Sequence, residues 1–188
     1  MEDLKDRVSL DERLGAAAVN GMTLAVWAEV QGDKTFIHNP DGTSRSFAGV
    51  NANANRIVRL LRAKGLKSGD SVALVCSNRA EFVEVMAATR RGGFRMTPVN
   101  WHLTADEVAY IIKDCEAKAV FAEARVATAG PAAAECPDLL VKVAIGGDIP
   151  GFLNYDRELA AQDGADIGDP VLGNQMMYTS GTTGRPKG

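Results

Sequence analysis

The chain has 188 residues, 46% of them hydrophobic and 24% charged, and its 21 basic and 24 acidic side chains give a net charge of −3. That composition describes a folded globular chain and excludes a disordered one. The slight negative charge offers no basic field for nucleic acid or an anionic membrane surface. Three cysteines, Cys76, Cys115 and Cys136, are widely spaced with no CxxC pair, so neither a disulfide framework nor a zinc site is indicated.

The first residues, Met1-Glu2-Asp3-Leu4-Lys5-Asp6-Arg7, carry mixed charge and lack the apolar core of a signal peptide. No apolar run reaches membrane-spanning length, so a cytoplasmic location is the default expectation. Residues 23–31 read as a helix, 34–38 as a strand, and Asn39-Pro40-Asp41-Gly42 as the turn into a second strand over 44–47. From 48 to 64, Val50, Ala54, Ile57, Val58 and Leu61 recur at helical spacing, and Gly65 stands where a left-handed C-terminal cap belongs.

Strand and helix then alternate. A continuous apolar run over 71–76 predicts a buried strand and makes Cys76 a small buried hydrophobe. Asn78 is placed to cap a helix over 79–91, with Arg90-Arg91 as its basic end before Gly92-Gly93, and 94–99 is the next strand. Thr104-Ala105-Asp106-Glu107 has the spacing of a capping box, and its helix should turn Val108, Ile111 and Ile112 to a core. His102 beside Trp101 reads as packing or surface. A short strand over 119–121, an alanine-rich helix over 124–134, a strand over 139–145, a helix over 155–162, a polar connection over 163–173 and a last strand over 175–178 complete the chain. This alternation predicts an α/β fold with a mostly parallel sheet and crossover helices.

The richest stretch is Tyr178-Thr179-Ser180-Gly181-Thr182-Thr183-Gly184-Arg185-Pro186-Lys187-Gly188. Glycines let backbone N–H groups turn toward an anion, hydroxyls add donors, and a lysine supplies a flexible point charge. A Walker A loop is excluded: Arg185-Pro186 separates Gly184 from Lys187, and Gly188 stands where the magnesium-binding Ser or Thr would be. Pro186 also disfavours a helix opening beneath the phosphates. Residues 180–184 alone read equally as a polar linker; the Tyr-Thr before and the Pro-Lys-Gly after favour a phosphate loop.

The run 178–188 resembles the signature loop of the AMP-dependent synthetases, the adenylate-forming family of acyl-CoA synthetases, luciferases and peptide-synthetase adenylation domains, with Arg185 at the free position. Asn78-Arg79-x-Glu81-Phe82, Gly92-Gly93-x-x-x-Thr97-Pro98-Val99-Asn100 and Leu103-x-x-x-Glu107-x-x-Tyr110-Ile111 resemble an earlier block of the same family. Phe47 through Asn55-Arg56, with Gly65-Leu66-x-x-Gly69-Asp70-x-Val72-Ala73-Leu74, is similar to its lead-in, while residues 1–46 add little. Pro98-Val99-Asn100-Trp101-His102-Leu103 is most like the acyl-CoA synthetases of fatty and related acids, and the Asp-Pro-x-Tyr-Pro stretch of peptide-synthetase domains is absent.

The resemblance implies the first portion of the large N-terminal domain of an adenylate-forming enzyme, cut at the phosphate loop. It implies activation of a carboxylic acid, fatty or related, by ATP with Mg2+ to an acyl-adenylate, then transfer to coenzyme A. Thr179, Ser180, Thr182 and Thr183 would be hydroxyl donors to the β- and γ-phosphates, Gly181 and Gly184 backbone donors, and Lys187 the charge on departing pyrophosphate. No side chain here stands out as a magnesium ligand. The family's metal-binding glutamate, ribose-binding aspartate and adenylation lysine would lie further along, so the chain alone is expected to be inactive. Two other readings remain open: a non-catalytic nucleotide-binding module, and an assembly fragment that forms a homo-oligomer through an unfinished sheet edge.

Overall fold

A computed structural model describes residues 4–179. Helices α1 (Leu4–Ala18) and α2 (Thr23–Gln31) lead into an antiparallel hairpin of β1 (Thr35–His38) and β2 (Ser44–Ser46). The remaining elements are α3 (Phe47–Ala63), β3 (Ser71–Val75), α4 (Ala80–Gly92), β4 (Arg95–Val99), α5 (Ala105–Asp114), β5 (Ala117–Glu123), α6 (Ala129–Ala134), β6 (Val141–Ile145), β7 (Leu153–Asn154), α7 (Tyr155–Ala160) and β8 (Asn174–Gln175). Strands β3 to β8 form one six-stranded sheet in the order β7-β6-β5-β3-β4-β8, every pair parallel.

The period-two alternation of buried strands sets the two cores. On one face Val72, Leu74 and Cys76 meet Ile57 and Leu61 of α3, Val85 of α4 and Tyr155 of α7. On the other face Ala73, Val75, Val120 and Ala122 meet Val108, Ile111 and Ile112 of α5 and the alanines of α6. The chain steps one way from β3 to β4 over the first face, returns through β5 to β6 over the second, and regains the first through α7. Changing face whenever direction reverses is what right-handed parallel crossovers require.

Local signals hold where short-range chemistry dominates. The Ser46 hydroxyl accepts from Gly49 N–H at 3.1 Å to start α3, and Gly65 follows its end at φ +96°. The Thr104–Glu107 capping box forms in both directions. Helix α4 differs from expectation: it starts at Ala80, and its first N–H donates to Asn39 Oδ1 in the hairpin turn at 2.8 Å, not to Asn78. A cap arriving from the hairpin ties the two units together, which no local pattern at 78 could reveal. Helix α6 is shorter than the alanine run because residues 124–128 turn, and β5 extends further at both ends than expected.

One buried carboxylate joins four elements. Glu84 of α4 is fully buried, accepts from Tyr155 Oη at 2.5 Å and Asn53 Nδ2 at 2.9 Å, and lies 3.7 Å from Arg45 Nε of β2. Burial raises its pKa above the ordinary carboxylate value despite those donors. Tyr155→Phe should therefore cost about 1.5–3 kcal/mol in urea denaturation at pH 7, the scale of a hydrogen bond to a charged group. The penalty should shrink as pH falls and the Glu84 carboxyl takes up its proton.

Candidate functional site

In open parallel sheets ligands bind beyond the carboxyl ends of the strands, where successive connections leave to opposite faces. Here the connection after β3 leaves to the α4 face and that after β5 to the α6 face, so a crevice opens between their ends. Asn39, Pro40, Asp41, Ser77, Arg79, Glu123 and Arg125 line a cleft of about 220 Å3 there.

Glu123, the last residue of β5, organises that cleft. Its Oε2 accepts from Ser77 N–H at 3.0 Å, and its Oε1 accepts from Arg79 Nη1 at 3.3 Å and forms an ion pair with Arg125 Nε at 2.6 Å. Arg79 is also held by a fork to Glu81 at 2.7 and 2.8 Å, and Arg125 Nη2 donates to the Ser77 hydroxyl at 2.7 Å. Burial alone would raise the Glu123 pKa, but the Ser77 donors and the two guanidinium groups together bring it below the ordinary value. The Arg79 fork lies against Gly146 at the end of β6, whose φ of +70° favours glycine and where a Cβ would come within 2.5 Å of Arg79 Nη1.

Beyond β4, Trp101 carries the His102 ring at 3.6 Å between centroids and lies 5.4 Å from the Arg125 guanidinium carbon. The expectation that His102 packs at the surface holds: it is exposed and stacked. This edge therefore ends in a cross-braced set of charges whose guanidinium groups are already answered by Glu81 and Glu123.

The approach to the hydroxyl-rich run is described as far as Thr179. Strand β8 is only two residues long and pairs with the start of β4, Asn174 opposite Arg95 and Gln175 opposite Met96. Met176 N–H still donates to Met96 O at 2.9 Å, and the regular strand covers only 174–175 where the sequence pattern implies 175–178, with Thr179 in an isolated bridge beyond it. The Tyr178 hydroxyl donates to Asp114 Oδ2 at 2.5 Å at the end of α5, and Thr179 is exposed. Ser180, Gly181, Thr182, Thr183, Gly184 and Lys187 lie outside the described residues. Of the expected phosphate ligands only Thr179 is therefore placed.

The Ser77–Arg79–Glu123–Arg125 set is the part of this edge that sequence reasoning missed. Arg79 was visible as part of a motif, but nothing local linked it to a glutamate 44 residues away. The available signal was the charged residue closing the apolar strand that ends at Glu123.

The sequence pattern of the AMP-binding enzyme family matches residues 24–188. The chain belongs to this family. It is 30% identical over 175 residues to the indoleacetate–CoA ligase of Aromatoleum aromaticum, covering 89% of this chain and 34% of that protein. It is 32% identical over 161 residues to the long-chain-fatty-acid–CoA ligase FadD13 of Mycobacterium tuberculosis, covering 82% of this chain and 31% of that protein. Among solved structures, the anthranilate CoA ligase AuaEII in complex with anthranoyl-AMP superposes with a TM-score of 0.79 at 25% identity, covering 89% of this chain and 33% of that one. The chain thus spans about a third of the length of these relatives. As a family member it has the α/β, mostly parallel architecture of the N-terminal domains of adenylate-forming ligases.

The braced edge has a measurable signature. Glu123→Gln should destabilise the chain by roughly 2–3 kcal/mol at pH 7, because Ser77 N–H and the two guanidinium groups lose the carboxylate charge and one of its two acceptor oxygens. A depressed folded-state pKa means the carboxylate's contribution is present above the unfolded value, about 4.3, and is lost as pH falls through the folded value. The difference between wild type and variant in urea denaturation should therefore close below about pH 4.

Proposed function

We propose that residues 1–188 form the N-terminal part of the adenylation domain of an ATP-dependent acid–thiol ligase, an AMP-forming acyl-CoA synthetase. The observation carrying this reading is the run 178–188, a loop of glycines, hydroxyls and one lysine directly following the edge strand of a parallel sheet in an AMP-binding enzyme. Coenzyme A as acceptor, and a fatty or aromatic acid as substrate, are supported by the names of the relatives, two of them CoA ligases for indoleacetate and long-chain fatty acids.

In this reading a carboxylate oxygen attacks the α-phosphorus of ATP. The bond from that phosphorus to its bridging oxygen breaks, and pyrophosphate departs with the electron pair. The thiol sulfur then attacks the acyl carbon, AMP leaves, and the thiol proton passes to solvent. Charge builds on pyrophosphate as the first bond breaks, so donors fixed there stabilise the transition state more than the ground state. Thr179, Ser180, Thr182 and Thr183 supply hydroxyls to the β- and γ-phosphates, Gly181 and Gly184 supply backbone N–H groups, and Lys187 supplies the cation. Among the described residues no group of three His, Cys, Asp or Glu side chains is placed to hold a metal ion. Magnesium would enter with the nucleotide. No described helix is long and apolar enough to cross a membrane.

A second reading, homo-oligomerisation through the open β8 edge, is favoured by the exposure of that strand and of Val171, Leu172 and Met177 beside it. Concentration-dependent association in sedimentation, indifferent to nucleotide, would support it.

The test is ATP–pyrophosphate exchange by the complete gene product across a panel of carboxylic acids. Exchange with at least one acid is expected, and exchange with none contradicts the reading. The 188-residue chain alone should form no acyl-adenylate. Within the complete product Lys187→Ala should slow adenylation about 100-fold, the scale for losing one transition-state donor. It should leave thiolysis of preformed acyl-adenylate nearly unchanged, and equal losses in both half-reactions would remove Lys187 from the pyrophosphate role.

A further inference from the structure

Sequence reasoning makes Arg91 the basic end of a helix, but in the fold it is completely buried on the last turn of α4. Its Nη1 donates to Asn55 Oδ1 at 2.6 Å and Asn51 Oδ1 at 2.8 Å, while Nε and Nη2 have no partner. Burial lowers its pKa to about 10, which leaves it charged at neutral pH. A buried cation with three of its five N–H donors unanswered is unfavourable, and a well-packed hydrophobe at the same place would often be no worse for stability. What the cation touches gives its use.

Asn51 and Asn55 stand one helical turn apart on α3 and turn their Nδ2 groups to the same oxygen, Asp166 Oδ1, at 2.9 Å each. Two amide dipoles therefore bridge the Arg91 guanidinium to the Asp166 carboxylate, whose Oδ1 is 3.9 Å from Arg91 Nη1. Asn55 Nδ2 also donates to Gly164 O at 3.1 Å. The relay thus grips the start of the long connection from α7 to β8.

The backbone of the same helix end grips its finish. Arg91 O accepts from Val171 N–H at 2.9 Å, and Arg90 O accepts from Gly173 N–H at 2.7 Å. At Gly173 a Cβ would fall 2.3 Å from both Phe94 O and Thr89 O, so the connection lies flush against the turn that starts β4. On its outer side Arg56, Arg59 and Arg62 of α3 hold Gln162 O, Asp163 O, Ala165 O and Asp169 Oδ1.

We infer that Arg91 is a positioning residue: through Asn51, Asn55 and Asp166 it fixes the strap 164–176, and so sets the point at which β8 delivers the 178–188 loop beside β4. The value of that point for chemistry rests on the phosphate-loop reading above; the mechanical role does not.

The test uses the 188-residue chain and compares amide hydrogen exchange at Val171, Gly173 and Met176 with that at Val75 and Phe121 in the sheet centre. Arg91→Met should speed exchange of the three strap amides at least about 10-fold relative to the central pair, because local opening is reported site by site. Arg91→Lys, which keeps the cation, should restore the ratio to within about 3-fold of wild type. Val85→Ala, a core truncation on the same helix, should leave the ratio unchanged. An unchanged ratio in Arg91→Met, or equal acceleration of strap and centre, overturns the proposal. If Arg91→Met fails to fold, Asn51→Ala interrupts the relay at a half-exposed position, with the same two outcomes. Pyrophosphate titrated into the same proteins reports separately on the loop: no binding by wild type counts against the phosphate reading, whereas the exchange ratio alone decides the role of Arg91.

Discussion

Parallel strands cannot be joined by tight turns, so each step across this sheet needs a crossover, and the one that spans the sheet from edge to edge sets where β8 lies. It starts after β7 at one edge and ends at β8 on the opposite edge, passing over α3 and the end of α4. Beyond α7 its residues bury little of their own apolar surface, Ile167 excepted. It is fixed instead by arginines, two asparagines and the carbonyls at the end of α4. Six strands and two hydrophobic cores give the fold its stability; this polar strap gives β8 its position.

The same division appears at the carboxyl edge. Apolar residues stop at Cys76, Val99 and Ala122, and the next positions are Ser77, Asn100 and Glu123. Glu123 then draws Arg79 and Arg125 together across the crevice, and Arg125 reaches Trp101 beyond β4. Each guanidinium is answered by a carboxylate, so the charges of this set balance. An anion arriving there would need other ligands than these arginines, which accords with the roles proposed for Lys187 and the neighbouring hydroxyls.

Much of the fold was legible because its signals are local. The helix over 23–31 and the Thr104–Glu107 box depend on residues within one turn, and the apolar run beginning at Ser71 can only be a strand buried on both faces. What was hidden depends on partners far along the chain. Asn39 caps α4 from 41 residues away, and Arg91 looks like a solvated helix end until α3 and Asp166 surround it. Strand β7 is two residues long and carries no periodicity to detect, and residues 1–22 had suggested no helix although α1 occupies Leu4–Ala18. For the site the balance is reversed. The chemistry of the loop was written in residue types and spacing, and the fold adds its point of departure through β8, Tyr178 and Thr179.

The central claim is that Lys187 faces the terminal phosphates of ATP. An adenosine polyphosphate carrying pyridoxal at its far end forms a Schiff base with a lysine beside those phosphates, and borohydride makes the link permanent. Applied to the complete gene product and followed by peptide mapping, the label should fall on Lys187 and be prevented by pyrophosphate. Labelling elsewhere, or labelling of Lys187 that pyrophosphate does not reduce, would contradict the account.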